Sequence, residues 1–263
     1  MRSVYPQEHL SWFELQEYCY FRDGKGTLFT QFMDNTKKYA VIVAGGKGAR
    51  MRAAVPKQFL PLNGKPLLCY PIEAFAQAMP DAQIILVLPE DQLRSAQIVL
   101  RSYIGNIEVT IVPGGQTRFH SVQNGLKEIK GHGIVFVHDG ARPLLSNDLI
   151  LRCYKQAIEK GSAIPAIPVA ESLRIVDNKS TRAVNRDHIR IIQTPQTFNT
   201  NILLPAYQLE YNESFTDEAT VVEAYGEKIH LIEGARENVK VTTPEDMLIA
   251  EAFLKARNHV PVS

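Results

Sequence analysis

Four cationic side chains, Lys47, Arg50, Arg52 and Lys57, fall within eleven residues of the turn Gly45-Gly46-Lys47-Gly48. Without a Cβ, the backbone at Gly45, Gly46 and Gly48 can bend sharply and come close to a ligand. Backbone N–H groups and fixed positive charges gathered in one loop suit a polyanion, and a nucleoside triphosphate has that chemistry. A Walker A loop would continue Gly-Lys-Ser/Thr, whereas Gly48 is followed by Ala49-Arg50. A dinucleotide fingerprint would need a third glycine where Met51 stands, and it would leave the four cations surplus. The bland alternative is a glycine turn with solvated charges.

The elements that must position this loop are legible from periodicity. Residues 39–44 form an apolar, β-branched run, the mark of a strand buried on both faces. Further strands are expected at 83–88, 107–112, 134–137, 163–169, 189–194, 228–232 and 238–241. Helices are expected at 66–79, with Pro66 in the first turn, at 90–103, and through Phe119, Val122, Leu126 and Ile129. Others run from a Ser146 or Asn147 cap to about 160, over 201–211, from Thr216-Asp217-Glu218, and from Thr243-Pro244 to about 257. The polar stretch 170–187, hairpin-like around 177–180, reads as an excursion. Alternating strands and helices predict the α/β class: an open, mainly parallel sheet with helices on both faces. Ligands bind beyond the carboxyl ends of such strands. The segments 45–57, 115–121, 139–142 and 170–172 all fall there.

The chain has 263 residues, 45% hydrophobic and 22% charged, enough for one good-sized domain. A net charge of +1 gives no sign of nucleic-acid binding. Cys19, Cys69 and Cys153 are odd in number and widely spaced, so they read as reduced thiols of a cytoplasmic protein, without metal or disulfide duty. No apolar run reaches the roughly 20 residues of a membrane span. Residues 1–32 are rich in aromatics and lack a clean period. They read as a non-catalytic extension, or as the product of a mis-assigned start, with Met33 the natural one; the alternative is a docking helix over 8–21. The expected division is an extension at 1–37, a domain at 38–258 with its arm at 170–187, and a tail at 259–263.

The motifs Ala44-Gly45-Gly46-x-Gly48-x-Arg50-Met51, Pro56-Lys57-Gln58-Phe59, Gly114-Gly115-x-x-Arg118-x-x-Ser121-Val122 and Val137-His138-Asp139-Gly140-Ala141-Arg142-Pro143 occur in this order. Thr194-Pro195-Gln196, Thr216-Asp217-Glu218 and Asn238-Val239-Lys240-Val241-Thr242 follow them. Together, over about residues 38–256, the set resembles the 2-C-methyl-D-erythritol 4-phosphate cytidylyltransferases of the non-mevalonate isoprenoid pathway. The resemblance implies a Rossmann-like nucleotidyltransferase fold with a protruding dimerisation arm, and a homodimer built through it. It implies that Arg50 and Lys57 stabilise a transition state in which a phosphate oxygen attacks the α-phosphorus of CTP. Ala44, Gly45, Gly115, Gln116 and Gly140 would hold the cytidine through backbone, and Ser121 through its hydroxyl. Asp139, Arg142, Ser172, Thr194, Arg186 and Lys240 would position the polyol phosphate. Mg²⁺ is implied by the triphosphate, with Asp139 the one protein ligand suggested. Gly45 stands where alanine is frequent in the family, and Ser172 where threonine is; both keep the chemistry of the position.

Read without the family, several of these residues have plainer roles. Arg142 could be a surface arginine, Asp139 a turn cap, Ser121 an ordinary helix residue, and Asp217 and Glu218 first-turn helix acids. His138 reads as a core residue of its strand, because no metal-ligand spacing surrounds it. A cytidylyltransferase for another polyol phosphate such as ribitol 5-phosphate, a hexose 1-phosphate nucleotidyltransferase and a non-catalytic nucleotide-binding regulator are the competing functions. A regulator would be expected to lack Arg50 or Lys57, and both are present.

Overall fold

The computed structural model describes residues 18–22, 28–32, 35–46, 51, 55–177 and 180–259. The chain divides into two units, Met1–Thr36 and Lys37–Ser263. The first contains an antiparallel hairpin of β1 (Tyr18–Arg22) and β2 (Leu28–Phe32). This corrects the alternative of a helix over 8–21. Residues 18–21 lie in β1, where Tyr-Cys-Tyr-Phe has the aromatic composition that strands favour; residues 8–17 lie outside the described residues.

The second unit begins with β3 (Lys37–Val43), β4 (Pro61–Leu62), β5 (Lys65–Pro66), α1 (Cys69–Ala78), β6 (Gln83–Leu88), α2 (Leu93–Tyr103) and β7 (Val109–Pro113). Next come α3 (Arg118–Leu126), β8 (Gly133–Asp139), α4 (Asn147–Lys160), β9 (Ser162–Pro168), β10 (Leu173–Val176), β11 (Thr181–Val184) and β12 (Arg190–Ile192). It closes with β13 (Gln196–Asn199), α5 (Thr200–Ala206), α6 (Glu218–Ala224), β14 (Leu231–Glu233) and α7 (Pro244–His259). Neighbouring strands of the main sheet run β12-β9-β13-β8-β3-β6-β7, with β14 beside β9. The sheet is mixed. β8, β3, β6 and β7 are parallel, whereas β13 runs antiparallel to both β8 and β9. The chain leaves β9 through the β10–β11 hairpin rather than a crossover helix, so β12 returns antiparallel.

Strict alternation divides the core between two faces. Ala40, Ile42, Ile84, Leu86, Ile134 and Phe136 pack under α1, α2 and α4. Tyr39, Val41, Ile85, Val87, Val135 and Val137 pack under α3, α5 and α6. A smaller cluster joins Met51, Leu62, Leu67, Leu144 and Val241 to Ala250 of α7.

Two expectations are corrected. Pro66 does not open α1; Asn63 (φ 49°) and Gly64 (φ 80°) form a two-residue left-handed turn that pairs β5 with β4, and the helix starts at Cys69. Residues 238–241 form no strand. Their backbone bonds go to loops, with the Val241 N–H on the Ala141 carbonyl and the Asn238 carbonyl taken by Arg142.

Candidate functional site

The carboxyl ends of β8 and its neighbour β3, and of β7 one strand beyond at the far side of β6, open onto one cleft. Ala44, Gly45 and Gly46 leave β3 along one wall, and Gly115, Gln116 and Thr117 leave β7 along another. α3 presses so close to the sheet that a Cβ on Gly125 would lie 2.7 Å from Val41 and 2.9 Å from Val87. That approach brings Ser121 against both glycine turns. Its hydroxyl donates to the Thr117 carbonyl (2.9 Å) and accepts the Gly115 N–H (3.1 Å). A side chain at position 115 would collide with His120 at 2.4 Å, so only glycine closes this turn.

Lys57, Gln58, Asp139, Gly140, Ala141 and Lys240 also line it. The Lys57 ammonium donates to the Val241 carbonyl (2.9 Å), which ties the segment after the first glycine turn to the segment bearing Lys240. Asp139 ends β8 among three cations: Lys240 at 2.8 Å, Arg118 at 3.3 Å and Arg142 at 3.7 Å. Burial pushes its carboxyl up, but Arg118, Lys240 and Arg142 outweigh burial and hold it well below the usual carboxylate range. It is ionised at any working pH.

The expected site residues divide into three groups. Ala44, Gly45, Gly46, Lys57, Gly115, Gln116, Ser121, Asp139, Gly140 and Lys240 meet at the cleft. Gly48 and Arg50 lie outside the described residues. Arg142, Thr194, Ser172 and Arg186 are not in the lining. Arg142 is no surface arginine; it is 8% exposed and donates to the Asn238 carbonyl (2.8 Å). Burial, the largest influence, lowers its pKa against the opposing pull of Asp139. Thr194 is buried behind the cleft, where its hydroxyl accepts the Asp139 N–H (3.0 Å). Ser172 and Arg186 are exposed on the excursion, and Arg186 donates to the Ala170 carbonyl.

Arg118 was missed. It lines the cleft and forks onto Glu218, whose side chain has no exposure. The signal available was its place three residues past the second glycine turn. Glu218 does open α6 as a first-turn acid, and Asp217 is the N-cap in a reciprocal capping box with Thr220.

The cleft residues do not make a cage for a divalent ion. Among the described residues Asp139 is the one carboxylate in the lining, and three cationic groups already surround it. Among the described residues no cluster of three His, Cys, Asp or Glu could hold a metal, and no helix is long and apolar enough to cross a membrane. What the arrangement can do is hold phosphate groups against Lys57 and Lys240 and accept hydroxyl hydrogens at Asp139.

Residues 39–256 match the family 2-C-methyl-D-erythritol 4-phosphate cytidylyltransferase, IspD. A protein of that name from Phocaeicola vulgatus is 46% identical over 217 residues, covering 82% of this chain and 99% of the relative. Two solved structures are similar to the chain. The 4-diphosphocytidyl-2C-methyl-D-erythritol synthase of Anaerococcus prevotii has a TM-score of 0.72 at 28% identity, over 84% of this chain and 97% of that one. The 2-C-methyl-D-erythritol 4-phosphate cytidylyltransferase of Thermus thermophilus has a TM-score of 0.67 at 30% identity, over 83% and 99%.

Proposed function

The chain belongs to the 2-C-methyl-D-erythritol 4-phosphate cytidylyltransferase family, and we infer that it transfers the cytidylyl group of CTP to 2-C-methyl-D-erythritol 4-phosphate in isoprenoid precursor synthesis. A phosphate oxygen of the acceptor attacks the α-phosphorus of CTP. The bond from that phosphorus to the bridging oxygen breaks, and pyrophosphate leaves. The acceptor is already anionic, so no side chain need take a proton from it. The observation that carries this reading is the convergence of Lys57, Lys240 and ionised Asp139 on a cleft floored by two glycine turns.

Each residue's role follows from its chemistry. Lys57, with Arg50 from the same loop, stabilises charge that builds on the α-phosphoryl oxygens and the leaving group, and this lowers the barrier directly. The turns at Gly45 and Gly115 bring backbone to the nucleotide, and Ser121 holds the second turn in shape. Asp139 accepts from the polyol hydroxyls, and Lys240 meets the acceptor phosphate. Arg142 and Thr194 act one layer back, on the Asp139 loop. Mg²⁺ entering on CTP would offset phosphate charge, held by the phosphates rather than by Asp139.

The excursion carries Ile175 (43% exposed) and Val176 (74%), and Ile191 (46%) follows it in β12. An isolated two-stranded hairpin is marginal in water, so the arm gains order by clasping a second copy, and Arg186 and Ser172 serve the partner's cleft. Residues 1–37 take no part in the chemistry.

Pyrophosphate release from CTP, UTP or ATP paired with 2-C-methyl-D-erythritol 4-phosphate or ribitol 5-phosphate tests the function. CTP with the methylerythritol phosphate should be the best pair; a preference for ribitol 5-phosphate would overturn the acceptor.

A further inference from the structure

We propose that the pair of buried Glu218 and cleft-lining Arg118 is a positioning device for Asp139: it divides one guanidinium between two carboxylates and so keeps an Asp139 oxygen available to the acceptor's hydroxyl groups. The inference rests on the reading of Asp139 as an acceptor contact. Arg118 opens α3 and Glu218 opens α6. The fork onto Glu218 is tight, at 2.5 Å from Nη1 and 3.0 Å from Nη2. The same guanidinium reaches Asp139 Oδ1 only loosely, at 3.4 Å from Nε and 3.3 Å from Nη2.

Glu218 is itself held fast. Tyr207 donates to its Oε1 at 3.1 Å. Gln196 of β13 pins the start of α6 from both ends of its amide, donating to Asp217 (2.9 Å) and accepting the Ala219 N–H (2.8 Å). Arg118 is thus captive to a carboxylate that cannot move, and Asp139 receives the remainder of its charge. Asp139 Oδ2 faces Lys240 and Arg142 on the other side.

Without the charge on Glu218, the two-oxygen, charge-assisted hold that keeps Arg118 back from Asp139 is lost, and a neutral amide oxygen is left as the weaker competitor. Fork and carboxylate would close into a bidentate pair, the geometry both groups prefer. Acceptor hydroxyls would then compete with a guanidinium for the same oxygens. Glu218 is absent from the cleft lining, so it acts through Arg118 rather than on substrate.

The test varies CTP and 2-C-methyl-D-erythritol 4-phosphate separately in the full chain. Glu218→Gln should raise the acceptor KM about tenfold or more, the weight of one hydrogen bond to a charged group. The CTP KM should stay within about twofold, since that is well below the weight of one such bond. In the double variant Glu218→Gln/Arg118→Gln the competing guanidinium is gone, and the acceptor KM should fall back toward wild type. A purely structural pair predicts the opposite, a double variant at least as impaired as the single. Equal rises in both KM values, no change, or no recovery in the double variant would each overturn the proposal. Should Glu218→Gln fail to fold, Arg118→Lys keeps the charge and loses the fork; it should show the same acceptor-selective rise, and its absence overturns the proposal. Asp139→Asn separates the two levels. An unchanged acceptor KM there refutes the reading of Asp139, whereas a raised one beside an unaffected Glu218→Gln refutes only the positioning role.

Discussion

Lowering the pH from neutral to 4 tests the hydrogen-bond chain behind the cleft, because His138 sits at its centre with no exposure. Its Nε2 faces the Arg142 carbonyl at 3.1 Å, and a carbonyl only accepts, so Nε2 carries the hydrogen. Nδ1 then accepts from the Thr194 hydroxyl at 3.1 Å, and that hydroxyl accepts the Asp139 N–H at 3.0 Å. A second ring proton would point at a hydroxyl hydrogen. Burial, the largest influence, pulls the imidazole from 6.5 down to about 4. The folded value is below the unfolded one, so the unfolded chain binds the proton first as pH falls. Stability is therefore intact above 6.5 and is lost between 6.5 and about 4. Each pH unit in that window costs about 1.4 kcal/mol, and the whole window about 3 kcal/mol. That is a large share of the roughly 5–15 kcal/mol that holds a typical domain folded. His138→Gln does not titrate, and the other acid-sensitive groups are common to both chains. Urea unfolding at steps from pH 7.5 to pH 4 should show the wild type losing about 3 kcal/mol more than the variant. Parallel stability curves would refute the buried neutral imidazole.

Two further outcomes are expected. A chain beginning at Met33 should keep the kcat/KM of the full chain for both substrates, measured by pyrophosphate release, and a loss of activity would assign residues 1–32 a part in the site. Lys57→Ala co-expressed with Arg186→Ala should recover about a quarter of wild-type activity, because half the dimers are mixed and each has one intact cleft; mixed dimers with no recovery would return Arg186 to its own chain's site or to none.

The strands and glycine turns were legible because local periodicity and residue type determine them. Residues 84–88 alternate between two buried faces, and Gly114-Gly115 must turn wherever β7 ends. The meeting of Lys57, Asp139 and Lys240 was legible through the family's ordered motifs and the rule that ligands gather at strand carboxyl ends. What stayed hidden depends on pairings across long sequence separations. Arg118 and Glu218 lie 100 residues apart, and nothing local at either distinguishes a partner in an ion pair from a solvated charge. Arg142 belongs with them, because its burial comes from the loop at Asn238 rather than from its neighbours in sequence. The failed strand at 238–241 has the same origin. Its residues have strand composition, but the Val241 and Asn238 backbone N–H groups bond to the loop carbonyls of Ala141 and Ala235.

Lys57 is proposed to act on the transition state of cytidylyl transfer rather than on ground-state nucleotide binding. Its ammonium lines the cleft from a short 3₁₀ turn and is braced on the Val241 carbonyl. The direct measurement is kcat for Lys57→Ala with 2-C-methyl-D-erythritol 4-phosphate, alongside the Kd for CTP from calorimetry. In this variant kcat should be lower by about 10²-fold or more with the CTP Kd changed only a few-fold, since a charge aimed at the developing anion is felt chiefly there. Near-normal turnover, or a loss carried wholly by weaker CTP binding, would contradict it.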